Sequence, residues 1–236
     1  DDWMFKQERG WELDQCVKNF AGFHTGLFEL TQLKKIDDYT FSLTTETENP
    51  ITDVMLTHLA QHMIDSVEIK KHVTSEDPNA AKWMATNAAG YGPYKLVDYK
   101  AGDQLVFEKH TEYWDKEKDI YFDKVIMKEI PQSSNRVAML RSGDIDAATY
   151  LTASEIKELE NADGIKVYHY TGNMITSVRF NNKNEILKNT KVRQALCYAT
   201  PYQDILDTVY MGMANQATGP IPSIYPGYKN HFNFTT

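Results

Sequence analysis

The chain has 236 residues, 42% of them hydrophobic and 12% aromatic, a composition that supports packed cores and excludes disorder. A formal net charge of −8 excludes a nucleic-acid partner, because phosphate binding needs a basic face. The length allows one large domain or two small ones, and no apolar run approaches the ~20 residues that cross a bilayer.

Asp1-Asp2 caps a helix that runs toward Arg9, with Trp3 and Met4 on one face. This opening carries no signal-peptide or lipid-attachment pattern and reads as the start of a helix inside a domain, so the chain is expected to be cut from something larger. Trp11 to Phe23 continues as a second helix or as a loop. Glu29 to Ile36 and Tyr39 to Thr44 read as two strands of a hairpin, with Asp37-Asp38 in the turn and Tyr39, Phe41 and Leu43 alternating with polar residues. Asn49-Pro50 starts a helix that places Val54, Leu56, Leu59 and Met63 at helical spacing. Asp77-Pro78 begins a short helix through Trp83, which Gly90 terminates.

After Gly92 the pattern changes. Tyr94 to Val97 and Asp103 to Glu108 read as strands joined by Ala101-Gly102, and Tyr121 to Ile130 as a third strand stopped by Pro131. Ser133-Ser134 caps a helix through Leu140. The Gly143-Asp144-Ile145-Asp146-Ala147 turn leads into a short strand, and Thr152 or Ser154 caps a helix to Leu159. Ile165 to Tyr170 and Met174 to Phe180 read as two further strands. A helix opens at Val192, and Asp204 to Gly212 closes the helical stretch. Pro201 breaks that helix or begins the next one. Strand and helix alternate here, which predicts an α/β lobe with helices packed on a sheet.

No catalytic set emerges. His58 and His62 stand four apart on one expected helix, a zinc-ligand spacing, but no Glu follows His58 and no third ligand is in view. Gly90-x-Gly92 leads into Pro93 and a strand, which suits a turn and not a phosphate cradle at a helix N-terminus. There is no Gly-x-Ser-x-Gly stretch, and Cys16 has no recognisable His or Asn partner. Asp144 and Asp146 lack the oxygen-rich loop of a calcium site and read as a surface turn. Cys16 and Cys197 lie far apart in no metal or redox spacing, so two buried thiols are expected in preference to one disulfide. Trp3, Trp11, Trp83 and Trp114 are assigned to core packing.

Five motifs in order carry a resemblance: Gly90-Tyr91-Gly92-Pro93-Tyr94-Lys95-Leu96; Glu112-Tyr113-Trp114 ahead of Phe122-Asp123-Lys124-Val125; Ser142-Gly143-Asp144-Ile145-Asp146; Phe180-Asn181; and Lys191-Val192-Arg193-Gln194-Ala195-Leu196. Each is weak alone. Together they resemble the extracellular solute-binding proteins of ABC importers, family 5, the dipeptide, oligopeptide and nickel group. One departure is Ala199-Thr200-Pro201-Tyr202, where the family has Ala-Ile-Asp-Arg.

The resemblance implies an α/β fold with periplasmic-binding-protein-like type II lobes (mixed sheets with flanking helices), truncated in this internal stretch of a longer protein. Residues 1–89 then belong to the small extra domain, 90–171 to the main lobe I, and 172–236 to the interlobe crossing and the start of lobe II. It further implies a non-enzymatic carrier without a cofactor. Such a carrier takes up small peptides or another small solute outside the cytoplasmic membrane and hands them to an ABC permease. In the family two places line the cleft, here Thr149 and Tyr150, and Gly172, Asn173, Met174, Ser177 and Arg179. Gly172 permits close backbone approach, Tyr150 offers a flat face with a hydroxyl, and Arg179 can pair with a carboxylate. With half a cleft, this stretch alone is expected to bind weakly. Alternatives are another cargo (nickel chelate, haem or an oligosaccharide) or a ligand-sensing domain on the same fold.

Overall fold

In the computed structural model, the described residues are 1–14, 22, 25–48, 50, 52–58, 61–170, 172–225 and 227–230. They divide into two compact units, Asp1–Glu129 and Ile130–Thr236.

The first unit is organised by helix α1, Asp2–Glu12, which buries Trp3, Lys6, Gln7 and Gly10. That spacing puts all four on one helical stripe. Trp3 packs with Leu27 and Leu33 in one core, and Phe5 lies against a second core of Ile64, Ile69, Ala80 and Ala89. Trp3 also stacks on Phe41 with centroids 4.3 Å apart. The expected cap does not form: neither acid at the start bonds the first turn of α1. Asp2 is diverted, its carboxylate accepting the Ser66 N–H at 2.9 Å and the Tyr91 hydroxyl at 2.6 Å.

Strands β1, Leu33–Lys35, and β2, Phe41–Leu43, form the expected antiparallel hairpin, pairing Leu33 with Leu43. The Asp37 side chain shapes its turn by accepting the Tyr39 N–H at 2.8 Å. The first strand starts later than the sequence pattern suggests, because Leu30–Gln32 is a 3-10 turn. Gln32 holds it there: its Oε1 accepts the Phe28 and Glu29 N–H groups at 2.7 and 2.9 Å. Its Nε2 donates to the Gly26 and Thr44 carbonyls at 3.0 and 2.9 Å.

Helix α2 is confined to Thr52–Met55, so His58 and His62 do not share a helix and the zinc-like spacing dissolves. Val54 and Met63 are exposed and form no core face; Asn49 and Leu59 lie outside the described residues. Helix α3, Ser66–Lys70, was not anticipated. Its N-cap Asp65 accepts the Glu68 N–H at 2.9 Å, an Asp-x-x-Glu start overlooked in the sequence. Helix α4, Ala81–Met84, begins later than Asp77-Pro78 because Ala80 is left-handed (φ 47°). Asp77 still caps it, accepting the Ala81 and Lys82 N–H groups at 2.8 and 2.9 Å. Trp83 stacks on His72 at 4.0 Å.

Strands β3 (Tyr94–Lys100), β4 (Gln104–Lys109) and β5 (Lys124–Lys128) make an antiparallel meander, with a register shift between Leu96 and Asp98. The register aligns Leu96, Phe107 and Val125 across the sheet, and likewise Tyr99, Leu105 and Met127. Strand β3 outruns its expected end at Val97, and β5 is shorter than expected. Trp114 is 72% exposed, correcting its assignment to a core, whereas its neighbour Tyr113 is buried.

In the second unit helix α5, Ser133–Ser142, ends on Gly143 in the left-handed region (φ 79°). Its N-cap is Gln132 without a side-chain bond, because the Ser133 hydroxyl donates to Glu155 instead. No strand follows the Gly143 turn. Helix α6, Ala153–Leu159, opens on a capping box between Thr152 and Glu155, as the sequence suggests. The strands expected at 165–170 and 174–180 find no ladder partner among the described residues, and alternation without a partner does not make a strand. Helix α7, Thr190–Ala199, is capped by Asn189, which accepts the Lys191 N–H at 2.9 Å. Thr200 is extended, as the residue before a proline prefers. Pro201 is the N-cap of helix α8, Tyr202–Asp204, which runs into a π-helical turn at Ile205–Val209. Cys197 is a free, half-buried thiol, and Cys16 lies outside the described residues. Among the described residues no helix is long and apolar enough to cross a membrane.

Burial lowers the pKa of Lys6 from 10.5 to about 8, with Gln61 Oε1 accepting from its ammonium at 3.4 Å. The folded state therefore binds the proton less tightly than the unfolded chain, and stability rises with pH across the window from about 8 to 10.5. Lys6→Met is expected to flatten that rise in a denaturant titration series; an unchanged slope would place the titration elsewhere.

Candidate functional site

The expected solute-contacting residues all fall in the second unit, and all are exposed. Thr149 and Tyr150 lie between Gly143 and the Thr152 cap. Tyr150 is 92% exposed and adopts φ 57°, the left-handed region. A non-glycine residue there costs about 1–2 kcal/mol against the right-handed region, so something must hold it.

Arg136, fourth residue of α5, does so. Its Nη2 donates to the Tyr150 carbonyl at 2.8 Å, and its Nη1 donates to the carbonyls of Ile130 and, at 3.1 Å, Pro131. The next residues are fixed from the other side. Thr152 N–H donates to Glu155 Oε2 at 2.8 Å, and the Ser133 hydroxyl donates to Glu155 Oε1 at 2.8 Å. Helices α5 and α6 thus buckle together around the segment that ends in Tyr150.

Gly172, Asn173, Met174, Ser177 and Arg179 lie on one irregular run. A side chain at Gly172 would meet open space, so close approach by a ligand backbone is sterically free. Met174 is 88% exposed, which excludes a core role for it in this chain. Asn173 Nδ2 donates to the Tyr225 hydroxyl at 3.1 Å, which fixes this end of the run. Among the described residues no hydrogen bond joins the Thr149–Tyr150 pair to residues 172–179.

Sequence reasoning passed over Arg136 and Tyr225. The local part of the Arg136 geometry recurs once more in the chain. Arg193 is likewise fourth in its helix, and its Nη1 donates to the carbonyls six and five residues back, Leu187 and Lys188, at 2.8 and 2.9 Å. The same local geometry recurs at Arg136, but only Arg136 extends it to a distant residue. Arg193 Nη2 stays within its own helix, donating to Thr190 Oγ1 at 3.0 Å.

Among the described residues of the first unit, concavities form at two places. One of about 330 Å³ is enclosed by the loop from Lys109 to Ile120, and one of about 520 Å³ lies between Phe28 and Glu46. Both are open and lined largely by polar side chains, without a convergent set of buried donors. Among the described residues no cluster of three metal-ligating side chains occurs.

The Thr152 backbone N–H, then the Ser133 hydroxyl, hold the Glu155 carboxyl below its ordinary 4.5. A depressed carboxylate stabilises the fold above the unfolded value and loses that contribution as pH falls through the folded one. Glu155→Gln is therefore expected to separate from the parent most above pH 4.5, the gap narrowing under acid. A gap constant down to pH 2 would show that charge is not what the buckle uses.

Comparison with known proteins gives this geometry a context. The family described as "Bacterial extracellular solute-binding proteins, family 5 Middle" matches residues 2–236. The chain is 30% identical over 166 residues to the probable D,D-dipeptide-binding periplasmic protein DdpA of Escherichia coli K12, covering 70% of this chain and 31% of that protein. It is 23% identical over 201 residues to heme-binding protein A of Haemophilus influenzae, covering 85% of this chain and 36% of the relative. Among solved structures it resembles the ABC transporter-associated periplasmic binding protein DppA from Helicobacter pylori in complex with peptide STSA. The TM-score is 0.82 at 23% identity, covering 98% of this chain and 46% of that one. The chain spans less than half the length of each of these relatives. The chain belongs to the bacterial extracellular solute-binding proteins of family 5.

Proposed function

We propose that the chain is part of the substrate-binding component of an ABC importer, which captures small peptides between two lobes outside the cytoplasmic membrane and delivers them to a membrane permease. The observation that carries this reading is the family match over residues 2–236. The dipeptide-binding and peptide-complexed relatives favour peptides as cargo. Residues 1–89 are assigned to the small extra domain, 90–171 to lobe I, and 172–236 to the crossing and the start of lobe II.

Thr149, Tyr150, Gly172, Asn173, Met174, Ser177 and Arg179 are the residues assigned to the solute. Their chemistry suits a peptide. Tyr150 and Met174 provide exposed apolar surface, Asn173 and Ser177 can bond backbone amides, and Arg179 offers two parallel donors to a carboxylate. The work of such a carrier is a population shift between open and closed forms, driven by the ligand's preference for the closed one.

A second reading keeps the fold and changes the cargo. Relatives named for haem and for nickel bind other solutes on the same scaffold, and the mixture of Tyr150, Met174 and Arg179 suits more than one of them. A panel of di- to pentapeptides, nickel-histidine, haem and oligosaccharides separates the readings by thermal shift of the full-length polypeptide. Peptides are expected to raise the melting temperature by several degrees, and Tyr150→Ala to weaken the tightest one about tenfold, a loss of about 1.4 kcal/mol. A shift with another solute class alone would discard the peptide assignment, and silence across the panel would count against a carrier of any of these solutes.

A further inference from the structure

We infer that Arg136 is a positioning residue for the solute, acting through Tyr150; the inference rests on the reading of Tyr150 as a solute contact. Among the described residues, no hydrogen bond joins Arg136 to a side chain assigned to the solute. Arg136 bonds the Tyr150 main chain, donating to that carbonyl at 2.8 Å while its other terminal nitrogen grips the carbonyls of Ile130 and Pro131. One planar group with forked donors ties three carbonyls in a fixed geometry, whereas a lysine offers its three donors from a single compact, rotatable ammonium.

The orientation is chosen for the carbonyls at a cost to the guanidinium itself. Arg136 Nε is buried and makes no hydrogen bond among the described residues. Arg193 supplies an internal comparison, repeating the grip on carbonyls six and five residues back but spending its remaining nitrogen on Thr190. The reach to Tyr150 is thus separable from the local helix-start geometry that both arginines share.

What the reach holds is a residue with no preference of its own for the conformation. Tyrosine at φ 57° is strained, unlike Gly143, whose left-handed φ of 79° is free of that penalty. Downstream, the Thr152–Glu155 box and the Ser133 bond stop the segment from absorbing the strain by sliding. Released from Arg136, the Tyr150 backbone is expected to relax to an extended conformation and carry the phenol away. Holding it beforehand removes an ordering cost from binding.

The test is a double-mutant cycle of Arg136→Met and Tyr150→Ala on the full-length polypeptide, with the tetrapeptide Ser-Thr-Ser-Ala as probe and NMR carbon shifts of Tyr150 as a ligand-free readout. Arg136→Met is expected to move the Tyr150 shifts out of the left-handed range and to weaken the tetrapeptide about tenfold. In the Tyr150→Ala background the same change is expected to cost less than about twofold, because its route to the solute is gone. Arg136→Lys, the fallback if the methionine variant does not fold, is expected to restore part of both signals, and Arg193→Met neither to move Tyr150 nor to weaken binding. Left-handed shifts persisting in both Arg136 variants would overturn the inference, as would equal losses with and without Tyr150. If the parent protein does not bind the tetrapeptide, the peptide reading stands or falls on the full di- to pentapeptide panel, and the Tyr150 shifts alone still decide whether Arg136 holds that residue.

Discussion

Backbone donors and acceptors that no ladder satisfies must find partners elsewhere, and in this chain side chains from distant positions supply them. Gln32 takes four such groups and turns a would-be strand into a 3-10 turn. Asp2 abandons its own helix for the Ser66 amide and the Tyr91 hydroxyl, tying the start of α1 to the turn that precedes β3. Arg136 takes three carbonyls in the second unit and so fixes Tyr150. Among the described residues fully buried apolar side chains are few, and they gather mainly in the first unit around Leu27 and Ile69. Much of the positioning is therefore polar, directional and specific to individual residues.

That division explains what could be read from the sequence. The β1–β2 hairpin, the β3–β4–β5 meander and the Thr152 cap depend on local patterns, alternation bracketed by turn residues and a capping box, and each formed where expected to within a few residues. The strand limits at Glu29 and Val97, the extent of the helix near Pro50 and the extra strands after Ile165 depend on partners elsewhere in the chain, which local periodicity does not encode. Asp2 shows the same limit in one residue. As a helix-start acid it looks like a cap, and only the fold reveals that Ser66 and Tyr91 claim it.

The candidate site was legible in a different way. No spacing rule selects Thr149, Tyr150 or residues 172–179; they came from motifs that resemble one family, and the family match over residues 2–236 bears out that resemblance. The structure adds what the motifs lack. It places both groups at the surface of the second unit, gives Tyr150 a conformation that needs support, and reveals the bonds that Arg136 makes to Tyr150 and Asn173 to Tyr225. The pairing of a strained, exposed aromatic with a dedicated backbone clamp is the physical feature that ties fold to the proposed work of this protein. Such pre-set geometry suits a carrier, whose affinity depends on how little must be ordered when the solute arrives.

The most direct measurement is chemical-shift mapping of the isotopically labelled full-length polypeptide during titration with a tetrapeptide. The largest changes are expected at Thr149, Tyr150 and residues 172–179, with Arg136 following through its bond to the Tyr150 carbonyl. Changes confined to the loop from Lys109 to Ile120 or the concavity between Phe28 and Glu46, with Tyr150 silent, would contradict the assignment of the solute site.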